Sequence, residues 1–237
     1  MHDARRPDGW PARSLLAALP EAERAELLRL GSVRHFERGQ TLIRAGEFGG
    51  EVYLILEGCV KVVDNSAEGY TVLLAVRMVG DLVGELAVLD GNPRAATVIA
   101  AAPTRVRAVS AAPLRGFLAE HPVSAAAVHN SVNAKFRQSI RHRSEANGAP
   151  APLRLARVLH RLGETYGEPT AEGVAIPVPL SQADLGALIG ATEQSVRRAL
   201  SELRDEGLVE PHYRRPVIKD LDRLAKWIAN TGGGRTR

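Results

Sequence analysis

The chain has 237 residues and a mass of 25.5 kDa, which is long enough for two modest domains with hydrophobic cores. Apolar residues make up 45% and charged residues 24% of the sequence, a globular composition that argues against general disorder. The net charge of +4 is uneven: residues 1–121 carry 14 basic and 15 acidic side chains, and residues 122–237 carry 17 and 12, so the second half is compatible with a nucleic-acid partner.

Several classes of protein are excluded at this level. The single cysteine, Cys59, can form no internal disulfide, and no cysteine cluster exists for zinc or iron–sulfur binding. The seven histidines show no metal-ligand spacing, so no metal site is expected. No apolar run approaches the ~20 residues of a membrane span, and the N-terminus lacks the apolar core of a signal peptide. A cytoplasmic protein without a membrane partner is expected.

The chain begins with a helical pattern and then changes to an alternating one. From Leu15 to Leu30 apolar residues recur at helical spacing, and Pro20 divides this stretch into two helical pieces. From Val33 to Val109 the period is two and glycines separate short β-type runs, which predicts a sandwich or barrel of short strands. The predicted strands include residues 41–43, 52–56, 60–63, 71–76 and 97–100.

Residues 84–98 bring a different chemistry into this β region. Gly84 is followed by the carboxylate of Glu85 and a short apolar run, and residues 90–93 form a turn that ends on Arg94. A guanidinium can donate two hydrogen bonds to a phosphate, and a carboxylate can accept from sugar hydroxyls. The stretch therefore predicts a site for a small sugar phosphate. For an isolated Glu and Arg, a surface ion pair would be the simpler interpretation.

Two helices are predicted after the β region, a short one over residues 113–120 and a long one over 122–146. The long helix has no internal glycine or proline, and apolar residues at a spacing of four give it one packing face. These residues are Val128, Val132, Phe136 and Ile140, with Ala125 one turn before them. Its basic residues, Lys135 among them, are expected mostly on the solvated sides. The Gly148–Pro152 segment then breaks the helix and marks a domain boundary.

The last third of the chain predicts two short helices joined by a glycine turn. A helix over residues 153–166 and short strands at 174–176 and 178–180 come first. Ser181 then caps one helix, and after a turn at Gly190 a second helix follows. This is the helix-turn-helix arrangement.

The second of these helices is the candidate for reading DNA. Thr192 caps it, it runs to about Arg204, and a β-wing is expected over residues 213–218. Its exposed first turn carries Glu193, Gln194, Arg197 and Arg198. Arginine can read guanine, glutamine adenine, and glutamate can accept from cytosine. The alternative is a solvated helix face with pairs at a spacing of four.

Residues 84–98 closely resemble the phosphate-binding cassette of cyclic-nucleotide-binding domains, and the glycine spacing over residues 33–109 resembles the β-roll of those domains. The resemblance implies that Glu85 holds the ribose 2′-hydroxyl and that Arg94 holds the cyclic phosphate. It assigns backbone contacts to Gly84, Leu86, Ala95 and Ala96.

The resemblance favours cyclic AMP as the effector over cyclic GMP. Some cyclic-GMP binders carry threonine where this chain has Ala95. In members activated by cyclic AMP, hydroxyl side chains of the long helix meet the adenine, and Ser139 falls at one such position. The neighbouring position is Ile140, so one hydroxyl is present and the other is absent.

Residues 153–218 resemble the winged helix-turn-helix of the CRP/FNR family of transcription regulators. The whole chain is then expected to be α+β, with a cyclic-nucleotide-binding β-roll over residues 15–121, a dimerisation helix over 122–147 and a winged helix-turn-helix domain over 148–237. The residues expected at double-stranded DNA are Ser181, Thr192, Glu193, Gln194, Arg197 and Arg198.

The resemblance predicts a homodimeric, non-enzymatic transcription regulator that a cyclic nucleotide controls allosterically, with RNA polymerase as a further candidate partner. One alternative keeps DNA binding but makes it ligand-independent or dependent on another effector. A second is a nucleotide-binding regulatory subunit that inhibits a protein partner. For the long helix itself, the alternative to dimerisation is packing on its own β-roll only.

Overall fold

The computed structural model describes residues 9–65, 71–146, 148–210, 212 and 215–233. The chain forms two compact units, and the division falls between Arg137 and Gln138, within the long helix. The fold mixes helices and sheets as predicted, with a β-rich N-terminal unit and a helix-turn-helix in the C-terminal unit.

Among its described residues, the N-terminal unit contains two four-stranded antiparallel sheets and five helices, the last of which continues into the C-terminal unit. One sheet has the order β1-β8-β3-β6, and the other has the order β2-β7-β4-β5. The strands are β1 (Ser32–Phe36), β2 (Thr41–Ile43), β3 (Glu51–Glu57), β4 (Cys59–Asn65), β5 (Thr71–Met78), β6 (Leu82–Val83), β7 (Thr97–Ala100) and β8 (Thr104–Ser110). The helices are α1 (Leu15–Ala18), α2 (Glu21–Leu27), α3 (Glu85–Asp90), α4 (Ala111–Glu120) and α5 (Pro122–Ala146).

Strand β3 contributes buried side chains to two hydrophobic cores, one on each of its faces. Because side chains of a strand alternate between its faces, Val52 and Leu54 pack with the helical residues around Leu114, while Tyr53 and Ile55 pack between the sheets. All four side chains are buried. The strand therefore reads as a continuous apolar run, which is typical of a strand covered on both faces.

The five strands named from the sequence are confirmed, whereas β1, β6 and β8 were not among them and helix α3 was not predicted. Strand β1 carries Ser32, Arg34 and His35 among its five residues and is mostly exposed, so its burial gives no alternating pattern. Helix α3 has only six residues, and its apolar run matches a strand as well as a helix. Cys59 is 2% exposed, as expected for a small core residue.

The predicted packing face of α5 divides into two parts. Val128 is 3% exposed and belongs to the core of the N-terminal unit. Phe136 and Ile140 are 65% and 51% exposed. The later part of the stripe therefore has an apolar surface that the described residues leave exposed.

In the part of the C-terminal unit that the structure describes, there are four further helices and one four-stranded antiparallel sheet of order β11-β12-β10-β9. Its elements are α6 (Ala151–Tyr166), β9 (Glu168–Thr170), β10 (Gly173–Ala175), α7 (Gln182–Ile189), α8 (Glu193–Asp205), β11 (Val209–Glu210), β12 (Val217–Ile218) and α9 (Leu221–Gly233). Within the predicted wing, residues 213 and 214 lie outside the described residues, and β11 pairs with β12.

The strand predicted at residues 178–180 is wrong. Proline has no N–H to donate to a neighbouring strand, and Pro177 and Pro179 remove two donors from this short segment. The N–H of Leu180 instead donates to the carbonyl of Val178 at 2.9 Å, a local turn. Helix α9, which was not predicted, follows the wing.

Among the described residues, no helix combines the length and the apolar composition that crossing a membrane requires.

Candidate functional site

The cassette residues lie at the start of α3 and on the loop that follows this helix. Gly84 precedes the helix with a φ of 84°, and Gly91 ends it with a φ of 76°, both in the left-handed region that glycine favours. A Cβ on Gly84 would lie 2.7 Å from Nη1 of Arg94. The glycine therefore serves two purposes, because it permits the turn and makes room for the arginine.

The guanidinium of Arg94 is buried and held in one orientation. The residue is 8% exposed, and its Nη1 and Nη2 donate to the carbonyls of Gly84 at 2.6 Å and of Glu51 at 2.5 Å. Gly49 permits this position too, since a Cβ there would lie 2.6 Å from Nε of Arg94. The backbone of Arg94 also pairs with the loop before β3, through Glu47 O at 2.9 Å and Gly46 N at 2.8 Å.

Glu51 is itself fixed by its side chain. Arg34 on β1 donates to both carboxylate oxygens, at 2.6 and 2.9 Å, and the hydroxyl of Tyr53 lies 3.2 Å from Oε2. This hydrogen bond with Glu51 raises the pKa of Arg34, and burial is the main cause of the raised pKa of Tyr53. The carbonyl that positions Arg94 thus belongs to a residue that a charged network holds in place.

Glu85, the other predicted ligand residue, is buried and paired with the long helix. It is 5% exposed, and Nζ of Lys135 on α5 lies 2.8 Å from its Oε1 and donates to the carbonyl of Leu82 at 2.6 Å. A buried carboxylate is costly unless it is paired, and this contact supplies the partner. The expectation that Lys135 lies on a solvated side of α5 is wrong.

The remaining predicted cassette residues lie at the surface. Ala95 is exposed and Ala96 half-buried in the bend that follows Arg94, and Leu86 is 44% exposed on α3. Ser139 is exposed on α5, one turn beyond Lys135. The structure therefore brings Gly84, Glu85 and Arg94 together.

The turn of the helix-turn-helix is built as predicted. Ser181 and Asp184 form a reciprocal capping box, with Ser181 N donating to the carboxylate at 2.8 Å and Asp184 N donating to the hydroxyl at 3.1 Å. Gly190 ends α7 in the left-handed region, and the N–H of Ala191 donates to Gly186 O at 2.9 Å. A Cβ on Gly186 would lie 2.6 Å from the carbonyl oxygen of Ala191, so glycine is required there.

The predicted DNA-reading residues lie on one exposed side of α8. Thr192 caps the helix by accepting from Ser195 N at 3.2 Å. The buried side carries Val196, Ala199, Leu200 and Leu203. The exposed residues at the start are Thr192, Glu193, Gln194, Arg197 and Arg198. Nε of Arg197 lies 3.4 Å from Oε1 of Gln182 on α7, so this arginine contacts the preceding helix.

Sequence reasoning missed three contributors to the cassette, namely Lys135, Glu51 and Gly49. Lys135 and Glu85 are fifty residues apart in the chain, and no local pattern joins them. Glu51 acts through its backbone carbonyl, which every residue type has. Only Gly49 gave a signal, as one of two consecutive glycines before β3.

The comparisons with known proteins agree with this geometry. Residues 33–121 match the family of cyclic nucleotide-binding domains, and residues 153–227 match the Crp-like helix-turn-helix domain. A CRP-like cAMP-activated global transcriptional regulator of Mycobacterium tuberculosis is 31% identical over 195 residues, which cover 81% of this chain and 85% of that protein.

Solved structures share the fold at lower identity. FixK2 from Bradyrhizobium japonicum superposes with a TM-score of 0.72 at 22% identity, covering 83% of this chain and 96% of that one. The c-di-GMP responsive global regulator CLP of Xanthomonas campestris gives a TM-score of 0.68 at 18% identity, covering 84% and 99%.

The two matched domains define a regulatory, DNA-binding protein with a cyclic-nucleotide-binding domain. The chain belongs to the CRP/FNR family of transcription regulators.

Proposed function

We propose that this protein is a homodimeric transcription regulator whose effector is cyclic AMP, bound against Arg94 and Glu85. The observation that carries the proposal is the buried guanidinium of Arg94, held by two carbonyls beside a buried carboxylate. A guanidinium carries five N–H donors, and the two carbonyls use two of them. The cyclic phosphate accepts from the others, and Glu85 accepts from the ribose hydroxyl.

The pair of Glu85 and Lys135 supports an allosteric role for this site. Because Lys135 belongs to α5, a ligand that bonds to Glu85 changes the surroundings of a residue on the long helix. A ligand shifts a conformational equilibrium only through its different affinity for the two states. Charge-assisted hydrogen bonds of about 1.5–3 kcal/mol each, formed in one state only, approach the ~5 kcal/mol needed to switch a population.

The exposed start of α8 supports operator recognition. In a two-fold dimer, two such helices would enter major-groove half-sites about 34 Å apart, one turn of DNA. Arg198 and Gln194 are the proposed base-reading residues, and Glu193 and Arg197 assist them. Thr192 and Ser181 are proposed to contact the phosphate backbone of the DNA. RNA polymerase is the further candidate partner of such a regulator.

The test is a calorimetric titration of the full-length dimer with cyclic AMP and with cyclic GMP. We expect saturable heat with cyclic AMP, weaker binding of cyclic GMP, and loss of binding in Arg94→Ala. Glu85→Gln, which keeps the shape of the side chain, should weaken binding at least tenfold, since it replaces an ionised acceptor. Arg44→Ala is the matched control, because Arg44 is an exposed arginine of the neighbouring loop.

Two results would contradict the proposal. Unchanged affinity in a folded Arg94→Ala, checked by its thermal melt, would remove the assigned role. Absence of heat with either mononucleotide would favour the second candidate, a regulator with another effector or none. The structural similarity to CLP, a c-di-GMP responsive regulator, makes c-di-GMP the next ligand to titrate.

A further inference from the structure

A cluster of potential metal ligands lies in the N-terminal unit, where the end of α4 contacts α2. One ligand atom from each of Glu26, Glu120 and His121 lies within 4.8 Å of the other two. We propose that these three residues bind a first-row divalent metal ion, with zinc preferred. None of the three belongs to the cassette or to the helix-turn-helix.

The set of donors matches zinc chemistry. Imidazole nitrogens and carboxylate oxygens are both zinc ligands, and a site with three protein ligands leaves a fourth position for water. Zinc–ligand bonds of about 2.0–2.2 Å place tetrahedral ligands about 3.3 Å apart. Closing the cluster to that size requires a small movement, and the side chain of Glu26 is 45% exposed while Glu120 is also exposed.

His121 supplies a second observation that points to a ligand. Its Nε2 has almost no solvent-exposed surface and makes no hydrogen bond of acceptable geometry, although it lies 3.2 Å from Oε2 of Glu26. Buried polar atoms normally have a partner, so this nitrogen needs an explanation. A metal ion between the imidazole and the carboxylates provides one.

The surrounding structure holds these ligands in place. The ring of His121 packs on Phe117 with centroids 4.5 Å apart, and the backbone N–H of His121 donates to the carbonyl of Phe117 at 3.0 Å. Ser124, which is fully buried at the start of α5, donates to Oε2 of Glu23 at 2.6 Å. Glu23 and Glu26 are one turn apart on α2, so α2 presents two carboxylates to the α4–α5 junction.

The consequence of binding would be a clamp at the start of α5. The ion would join α2 to the residue that directly precedes Pro122, where the helix begins. Because a ligand that binds only the folded state stabilises it, zinc should raise the thermal midpoint of the N-terminal unit. Histidine spacing in the sequence could not reveal this cluster, because Glu26 is remote in the chain from Glu120 and His121.

The experiment is a titration of the full-length, chelator-treated protein with zinc chloride, followed by calorimetry and thermal melts. We expect one ion per chain, a raised melting midpoint, and a cobalt(II) absorption band that zinc displaces. His121→Ala and Glu26→Gln should each weaken binding by at least about tenfold, since even outer-shell changes cost that much. His129→Ala, an exposed histidine on α5, should bind zinc as the unmodified protein does.

Each opposite outcome overturns the proposal. If zinc gives no heat and no cobalt band, Glu26 and His121 form an ion pair only. If Glu26→Gln and His121→Ala keep the full affinity while His129→Ala loses it, the ion binds elsewhere. Glu26→Gln keeps the side-chain shape, so it remains informative even if His121→Ala disturbs the packing on Phe117.

Discussion

At the scale of single residues, Arg94, the proposed phosphate-binding residue, is held in one orientation by the protein itself. Two backbone carbonyls, one at the start of β3 and one directly before α3, fix the plane of its guanidinium, and glycines at 49 and 84 leave the space that it fills. A lysine would offer a single ammonium and could not span both carbonyls in one plane. The residue therefore supports the loop as well as the proposed ligand.

The pair between Lys135 and Glu85 gives a prediction at this scale. Lys135→Met leaves the 5%-exposed carboxylate without its charged partner, so the free energy of unfolding should fall by about 1–3 kcal/mol. The double variant with Glu85→Gln should lose less than the two single losses together. Urea denaturation at neutral pH measures each value.

Lys226→Met, at an exposed position of α9, is the control and should change stability by less than about 0.5 kcal/mol. Additive losses in the cycle would show that Lys135 and Glu85 do not interact in solution. The nucleotide titration of Lys135→Met would then separate a structural role of this lysine from a role in ligand binding.

At the scale of elements, the helix-turn-helix depends on the close approach of α7 and the turn that follows it. The N–H of Ala191 reaches Gly186 O, and no side chain fits between them. The capping residues at both helix starts satisfy N–H groups that a helix leaves unpaired. These local features define the orientation in which the exposed side of α8 is presented within its unit.

Two glycine substitutions test this reasoning in opposite directions. Gly186→Ala places a Cβ 2.6 Å from a backbone oxygen, so it should destabilise the C-terminal unit by about 1–3 kcal/mol. Gly116→Ala, in the middle of α4 with open space around it, should stabilise the N-terminal unit by about 0.5–1 kcal/mol. Thermal and urea unfolding of both variants measures the difference, and a stabilising Gly186→Ala would contradict the structure.

The sequence predicted those elements whose signal is local. Periodicity predicted five strands of the two N-terminal sheets, and caps supported the prediction of both helices of the helix-turn-helix, because their determinants lie within a few residues of one another. Strand β1 was missed because its exposed face carries no alternation, and the strand at 178–180 was wrong because proline chemistry outweighed apolar composition. For the candidate site, Glu85 and Arg94 could be predicted from one loop. Lys135 could not, because the fold alone brings it to Glu85.

At the scale of the whole molecule, the later part of the α5 stripe matters most. Phe136 and Ile140 are more than half exposed, although both are large apolar residues. Large exposed apolar groups on one side of a helix are typical of an interaction surface. A two-fold partner that presents the same helix would cover them, as the proposed homodimer requires.

The prediction at this scale concerns association. Phe136→Glu places a charge at the proposed interface, so the apparent mass in sedimentation should fall from that of a dimer to that of a monomer. Affinity for a two-fold operator should also fall, because each monomer then binds only one half-site. Phe48→Glu, at the 80%-exposed Phe48 outside α5, is the control and should remain dimeric. A Phe136→Glu variant that stays dimeric would place the interface elsewhere.

The burial of Cys59 has a practical consequence for measuring motion in this regulator. Cys59, the single cysteine of the sequence, lies on β4 and is 2% exposed, so its thiol should react slowly with spin-labelling reagents. A cysteine introduced on the exposed side of α8 would then be the one readily labelled position in each subunit. In the proposed homodimer, pulsed electron paramagnetic resonance would measure the distance between the two labels directly, with and without the proposed effector.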